Sequence, residues 1–286
     1  MIIATSADGY RCITQHEHSK IAGRCALAWG NKEFSSPTPE ESVVTATFTH
    51  DIGWREFDQR PRLNTDTETG NPGLINFHEV PAQTWVEMYE QGIETVAELD
   101  PYAGLVVSLH GVGLQTRRYG LTPEWNKPGE AFRAFIENEQ QRQQQLLERI
   151  ADQAGDNVSA EDRTTLARLH DNNQTPERYT GRLWCNYKLL QFWDTLSHLL
   201  CATTDQTVDT TIEHAPVSVG ADVSIRVHSE TATTYQLEPY PFSRDPLVIP
   251  AVARTVSEQT INAESEQAIA REYFASTTNI EFRLQS

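Results

Sequence analysis

The adjacent pair His50-Asp51, followed by Ile52-Gly53-Trp54, carries the most chemistry per residue in this chain. An imidazole nitrogen beside a carboxylate oxygen suits Mn, Fe, Zn or Ni better than Ca. Neighbours on a helix stand about 100° apart around its axis, so both side chains could reach one cation over a last helical turn. Taken alone, the dipeptide also fits a helix-terminal histidine beside an exposed aspartate, and only further partners decide. Three candidates exist: His18, His110 and Asp194 each fall on an apolar stripe at helical spacing and therefore point inward. A lone buried carboxylate costs on the order of several kcal/mol unless it is paired or bound to metal. Two arrangements satisfy the set. One is a cation shared at the centre of a helical bundle; the other is separately hydrogen-bonded core histidines with a salt-bridged aspartate.

The elements that must position these groups follow from caps and periodicity. Thr38 and Glu41 predict a capping box with Pro39 at the first helical position, then Val43, Val44, Ala46 and Phe48, with Gly53 as the stop. Thr14 and Glu17 predict a second box, opening a helix whose stripe runs through His18, Ile21, Ala22, Cys25 and Trp29. His16 falls on another face and is expected to be solvated or capping. Before it, residues 1–13 alternate as a hairpin with a turn at Asp8-Gly9. Pro81 to Leu99 is amphipathic through Trp85, Met88, Val96 and Leu99, and Asp100-Pro101 opens the helix that carries His110. A long helix is expected from about Pro128 to Gln153, its Gln140–Gln145 run forming a solvated face. Ser159 and Asp162 start a shorter one ending at His170-Asp171, which is expected at the surface. From Pro176 to Cys201, Leu183, Tyr187, Leu190, Asp194 and Ser197 share a stripe, with His198 one turn on. Between Trp54 and Asn76 lies a long loop whose Arg55, Arg60 and Arg62 could hold an anion or pair on an acidic surface. Beyond Thr210 the period becomes alternating: 217–219, 223–227, 235–237 and 280–284 read as strands, with a helix within 258–274. The expected fold is mainly α, a helical bundle with a short N-terminal β-hairpin and a β-rich C-terminal layer, α+β overall. Residues 1–205 would form the metal-binding domain, and 206–286 an accessory region packed on the hairpin.

Net charge is −17 over 286 residues, and lysine occurs only at positions 20, 32, 127 and 188. Such a chain repels nucleic acid and anionic membranes. Low lysine with abundant Asp, Glu and Thr is the composition of proteins from salt-loving microbes, where salt screens self-repulsion. With no run of eighteen apolar residues and no basic leader, a soluble protein is expected. Cys12, Cys25, Cys185 and Cys201 show no CxxC spacing, which suits free thiols in a reducing cytoplasm.

The order His, His-Asp, then a distant Asp within Asp194-Thr195-Leu196-Ser197 resembles the HD-domain superfamily of metal-dependent phosphohydrolases. The chain is more closely similar to an uncharacterised prokaryotic family, DUF3891. The similar stretches are Gln15-His16-Glu17-His18, Trp29-Gly30, His50 to Glu56, Asp100 to Gly104, Ser108 to Gly111 and Leu190 to Ser197. The superfamily resemblance implies an HD-like bundle in which His18, His50, Asp51 and Asp194 ligate metal. His110 matches an extra histidine of two-metal members, so one or two divalent ions (Mn, Fe, Zn or Ni) are expected. The implied activity is hydrolysis of a phosphate ester, a nucleotide or a small phosphorylated metabolite, with Asp51 bridging metals or accepting a proton from water. Arg55, Arg117 and Arg118 are candidates to clamp the phosphate. Two alternatives stand beside it: di-iron oxygen chemistry, and a non-catalytic binding or sensor module in which the ion is structural.

Overall fold

The computed structural model describes residues 1–6, 9–65, 72–122, 129–152, 158–171, 175–204 and 207–286. The expected turn residue Asp8 and the expected helix bounds Pro128 and Gln153 lie outside these. The chain begins with strands β1 (Ile2–Ser6) and β2 (Gly9–Ile13), then helices α1 (Gln15–Ala28) and α2 (Glu40–Thr49). Two-residue strands β3 (Leu63–Asn64) and β4 (Gly73–Leu74) follow. Next come α3 (Ala82–Leu99), α4 (Pro101–Gln115), α5 (Glu130–Asp152), α6 (Ala160–His170) and α7 (Gly181–Ala202). The C-terminal part holds β5 (Asp209–Ser218), β6 (Ala221–Ser229), β7 (Thr234–Glu238), β8 (Leu247–Val256), α8 (Glu258–Asn262), α9 (Glu266–Ala275) and β9 (Thr278–Gln285).

The result is an α+β protein. Helices α1, α2, α4 and α7 pack on one another, and α3 and α5 cover α4 from outside. A seven-stranded sheet runs in the order β1-β2-β8-β9-β7-β6-β5, so the N-terminal strand pair and the C-terminal strands form one sheet. Only β7–β9 pairs in parallel among its strands. Strand β8 was not foreseen, because Val248 and Val252 on its outer face are apolar and Pro250 interrupts it. Proline is tolerated there because β2 pairs only with residues 254–256, which leaves the rest of that β8 edge without a strand partner. A carboxylate oxygen of Glu17 on α1 accepts from Val252 N at that open edge.

Several caps form as expected. Asp100 accepts from Tyr102 N and Ala103 N, and Ser159 with Asp162 makes a full capping box. The box expected at Thr14 forms only by half: Thr14 accepts from Glu17 N, but the Glu17 carboxylate turns to Lys20 and Val252 N. Buried Asp162 also accepts from Leu183 N in the first turn of α7, which ties α6 to α7. Others differ. The box at Thr38 and Glu41 does not form: α2 starts at Glu40 behind Pro39, and the Thr38 carbonyl accepts from Asn186 instead. Leu99 is 67% exposed rather than core, two residues past Ala97, the last buried residue of α3. Gln143, expected on a solvated face, is fully buried. The 54–76 segment carries short 3-10 turns at Ile52–Arg55 and Phe57–Gln59 besides the β3–β4 pair. Its arginines do not converge: Arg60 pairs with Glu266, and Arg62 lies over the Phe57 ring.

Gly53 does not stop α2, which ends at Thr49. It is needed for a close approach. A Cβ at Gly53 would stand 1.8 Å from the Met88 carbonyl oxygen, so only glycine lets α3 lie against this turn. That approach brings Tyr89, the next residue on α3, beside Asp51.

Candidate metal centre

Four elements contribute to one buried cluster. His18 comes from α1, His50 and Asp51 from the end of α2, His110 from α4 and Asp194 from α7. His50 keeps helical dihedrals, but Asp51 leaves them at φ −110°, ψ 23°. The end of the helix, rather than its regular 100° step, turns the two neighbours toward one point. The three histidines and Asp51 are at most 3% exposed, whereas the Asp194 side chain is 16% exposed and forms the edge of the cluster. His18, His50 and Asp51 place one ligand atom each within 4.8 Å of one another, and so do His50, His110 and Asp194.

Hydrogen bonds behind the rings fix which atoms face inward. His50 Nδ1 lies 2.8 Å from the Thr47 carbonyl, which can only accept, so Nδ1 carries a proton. In the neutral ring the Nε2 lone pair then faces Asp51 Oδ2 at 3.4 Å and Asp194 Oδ1 at 3.5 Å, and Nε2 has no hydrogen bond. His18 repeats the pattern. The Ser197 hydroxyl donates to the Asp194 carbonyl and so accepts from His18 Nδ1 at 3.1 Å. That leaves His18 Nε2 2.9 Å from Asp194 Oδ1 and 3.8 Å from Asp51 Oδ2. Behind Asp51, the Tyr89 hydroxyl donates to Oδ1 at 2.9 Å and leaves Oδ2 for the cluster. His110 Nδ1 meets the Gln191 amide at 2.6 Å, while Gln191 Oε1 lacks a partner. Turning that amide puts Oε1 on an Nδ1–H and frees the other ring nitrogen, as a ligating histidine requires.

Lone pairs and carboxylates that face one another demand a positive charge between them. Burial alone would depress His50, but Asp51 and Asp194 overrule it and raise the ring to about 10. Burial would likewise raise Asp194, yet the hydrogen bond with His18 Nε2 and the attraction of the neighbouring imidazoles hold it well below the usual carboxylate range. His110 lies beyond the strongest of these attractions, and burial lowers it to about 4. A cation fits the same spacing. Ligands about 2.1 Å from an ion stand about 3.0 Å apart in an octahedron and about 3.4 Å apart in a tetrahedron. The observed Nε2-to-oxygen spacings of 2.9, 3.4, 3.5 and 3.8 Å span that range. These buried His and Asp groups could therefore hold a metal ion.

The cluster opens on one side only through Asp194. Arg118 lies 3.9 Å from Asp194 Oδ2 and donates to Thr195 Oγ1 at 2.9 Å. Arg117, Arg118 and Tyr119 all have φ between 50° and 55°, a left-handed run that costs roughly 1–3 kcal/mol per non-glycine residue. The buried Tyr119 ring, packed on Tyr187 and Trp184, holds that turn. Arg118, Thr195, Gln191 and His198 line a cavity of about 480 Å³ between α7 and β5.

The other expected residues fall elsewhere. Arg117 is half-buried but does not line this cavity. Arg55 is exposed and lines a separate cavity of about 260 Å³ with His16. His16 is neither solvated nor capping: it is half-buried and its Nδ1 has no hydrogen bond. His198 has its ring centre 6.3 Å from that of His18, and Phe77 separates it from His78. His170 bonds Gln143 and stays away from the centre. Sequence reasoning missed Tyr89 and Gln191. Tyr89 lies one turn past Trp85 on the same buried stripe, and Gln191 lies three residues before Asp194; those spacings were the available signal.

A fold of packed helices on one mixed sheet, with a buried histidine–aspartate cluster, defines an α+β protein with a candidate metal centre. The chain belongs to the family described as protein of unknown function DUF3891, whose sequence model matches residues 1–258. No curated protein and no solved structure matches it. Among the described residues no helix is long and apolar enough to cross a membrane.

Proposed function

We propose that this protein is a metal-dependent hydrolase of a phosphate ester, built on an HD-like helical bundle with residues 206–286 as an accessory layer. The observation that carries the reading is the pair of inward Nε2 atoms, on His18 and His50, facing the carboxylates of Asp51 and Asp194. His18, His50, Asp51, His110 and Asp194 would hold a divalent Mn, Fe, Zn or Ni ion. A neutral imidazole nitrogen has one lone pair, and both three-residue groups share His50. That supports one ion rather than two. Such an ion, when bound, lowers the pKa of water and polarises a phosphoryl oxygen.

The chain's own groups do the rest. Tyr89 fixes Asp51 through Oδ1 and turns Oδ2 to the ion site, where its second lone pair can take a proton from the attacking water. Water oxygen adds to phosphorus as the ester oxygen leaves with its electron pair and takes up the proton given up by the water. Arg118 stands on the cavity side of Asp194, where its guanidinium can orient and neutralise the phosphoryl group. Arg55 and Arg117, the other two arginine candidates, do not line that cavity, which favours Arg118 for this role. Free, buried cysteines support a reducing, cytoplasmic setting, and the acidic, lysine-poor composition supports a high-salt medium. The same charge favours a small phosphorylated substrate over nucleic acid.

Elemental analysis of protein purified without a metal-affinity tag, in high salt, tests the reading. One divalent ion per chain is expected, with phosphatase activity that chelation abolishes and the ion restores. Full activity in Asp51→Asn defeats it. Two irons per chain with oxygen uptake replace it with an oxygenase, and a stoichiometric ion without turnover makes the site structural.

A further inference from the structure

The cavity beside Asp194 follows one face of α7. Lys188, Gln191, Phe192, Thr195, Leu199 and Ala202 line it at three- and four-residue steps. From Lys188 to Ala202 that face rises through 14 helical steps, about 21 Å. Opposite, residues 210–214 of β5 close it, where the register with β6 shifts between Ile212 and Ala215 and His214 takes φ 60°. The space is that of a pocket for one small organic molecule.

Its charges are unevenly placed. Arg118 enters at mid-length, beside Thr195 and Asp194. Lys188 is committed to an ion pair with Asp222, and Glu213 adds a carboxylate to the wall. One cationic contact is thus offered at the height of the metal centre. Away from it in both directions the walls carry apolar side chains, Phe192 and Leu121 one way and Leu199 and Ala202 the other, with threonine hydroxyls and the imidazoles of His198 and His214 between them. A triphosphate would place its second and third phosphates against those walls or against Glu213.

From this we infer that the cavity selects a monophosphate with an apolar body: a single phosphate head at Arg118 and Thr195, turned to the ion that Asp194 would help to hold, and an alkyl or aryl group lying along α7. The inference rests on the proposed hydrolase site and narrows its substrates, setting nucleoside triphosphates aside.

Calorimetric titration of the metal-loaded protein with inorganic phosphate, butyl phosphate, hexyl phosphate and ATP tests it. Affinity should rise roughly two- to fourfold per buried methylene, because each one removes apolar surface from water. ATP should bind more weakly than hexyl phosphate. Leu199→Trp, which fills one arm of the cavity, should shorten the chain length at which the gain stops; if that variant does not fold, the wild-type series decides by itself. A flat series, or ATP binding more tightly than hexyl phosphate, overturns the inference. Turnover of inorganic-like short esters with a flat series leaves the hydrolase reading and removes this one. Rising affinity with no hydrolysis of hexyl phosphate does the reverse.

Discussion

Two buried polar clusters flank α4, and they differ in one respect. Ser108 and His110 are two residues apart, about 200° around the helix axis, and so face opposite neighbours. On the Ser108 side, Glu139 and Gln143 of α5 are fully buried, yet each is answered. Ser108 donates to Glu139 Oε2 at 2.7 Å, Arg142 to Oε1 at 3.0 Å, Gln143 to Ser108 Oγ at 2.9 Å, and Gln143 Oε1 meets His170 at 2.7 Å. On the His110 side, the carboxylates of Asp51 and Asp194 converge on imidazole nitrogens, and the balance is met only by a proton on those rings or by a cation between them. Both clusters bury a carboxylate; only one is left incomplete by the protein alone. Burial of charge therefore does not mark a site here. Converging acceptors do.

The largest effects should separate the two clusters most sharply. Asp194→Ala should leave the protein without bound metal after dialysis, as read by elemental analysis. Glu139→Ala should retain the metal and lose about 1–3 kcal/mol of stability to denaturant, the cost of leaving Ser108 and Arg142 without their acceptor. With free ion at a thousand times its dissociation constant, loading should stabilise the wild type by about 4 kcal/mol. Asp194→Ala should show no such response. Metal loss in Glu139→Ala as well would mean that the clusters are one unit, and the comparison would break.

Both clusters lay within reach of the sequence, to different degrees. His18, His110 and Asp194 were legible because each interrupts an apolar stripe at helical spacing, and the His-Asp pair supplied the remaining ligands. The N-terminal hairpin and four of the C-terminal strands were legible from alternation. The Glu139 cluster was not, because a run of glutamines reads as solvated. Its signal was there: Phe135, Glu139, Gln143, Leu147 and Ile150 form one stripe at three- and four-residue steps, so two polar residues continue the apolar face. Gly53 could not be interpreted locally at all. Its reason is the Met88 carbonyl, supplied by a helix more than thirty residues on, and no cap rule contains that contact. The left-handed turn at Arg117–Tyr119 was equally hidden, since none of its residues is a glycine.

A smaller effect tests whether the metal centre depends on what stands behind it. Tyr89→Phe removes one hydrogen bond to Asp51 and keeps the stacked ring against Trp85. Metal affinity should fall 10- to 100-fold, as for other groups that orient a ligand from behind. Unfolding of the metal-free protein should change by less than about 1.5 kcal/mol, because the apolar ring remains. An unchanged affinity would show that Asp51 is held by the cluster itself.

The smallest effect belongs to the self-sufficient cluster and to its pH dependence. Burial raises the Glu139 carboxyl above its usual value of 4.5, and Arg142 and Ser108 offset this only in part. The folded state therefore binds that proton more tightly than the unfolded chain does. Its contribution to stability is complete below about pH 4.5 and is lost as pH rises through the raised folded value. Glu139→Gln keeps the size of the side chain but has no proton to lose. The stability difference between wild type and variant should move in the variant's favour across that window and stay level above it. Denaturant midpoints from pH 4 to 8, measured with and without metal, read this directly. The two curves should be parallel, because the Glu139 partners are Ser108 and Arg142 and none of them touches the histidine–aspartate cluster. A difference that changes on metal loading would mean that α4 transmits the charge of one cluster to the other, two residues along the same helix.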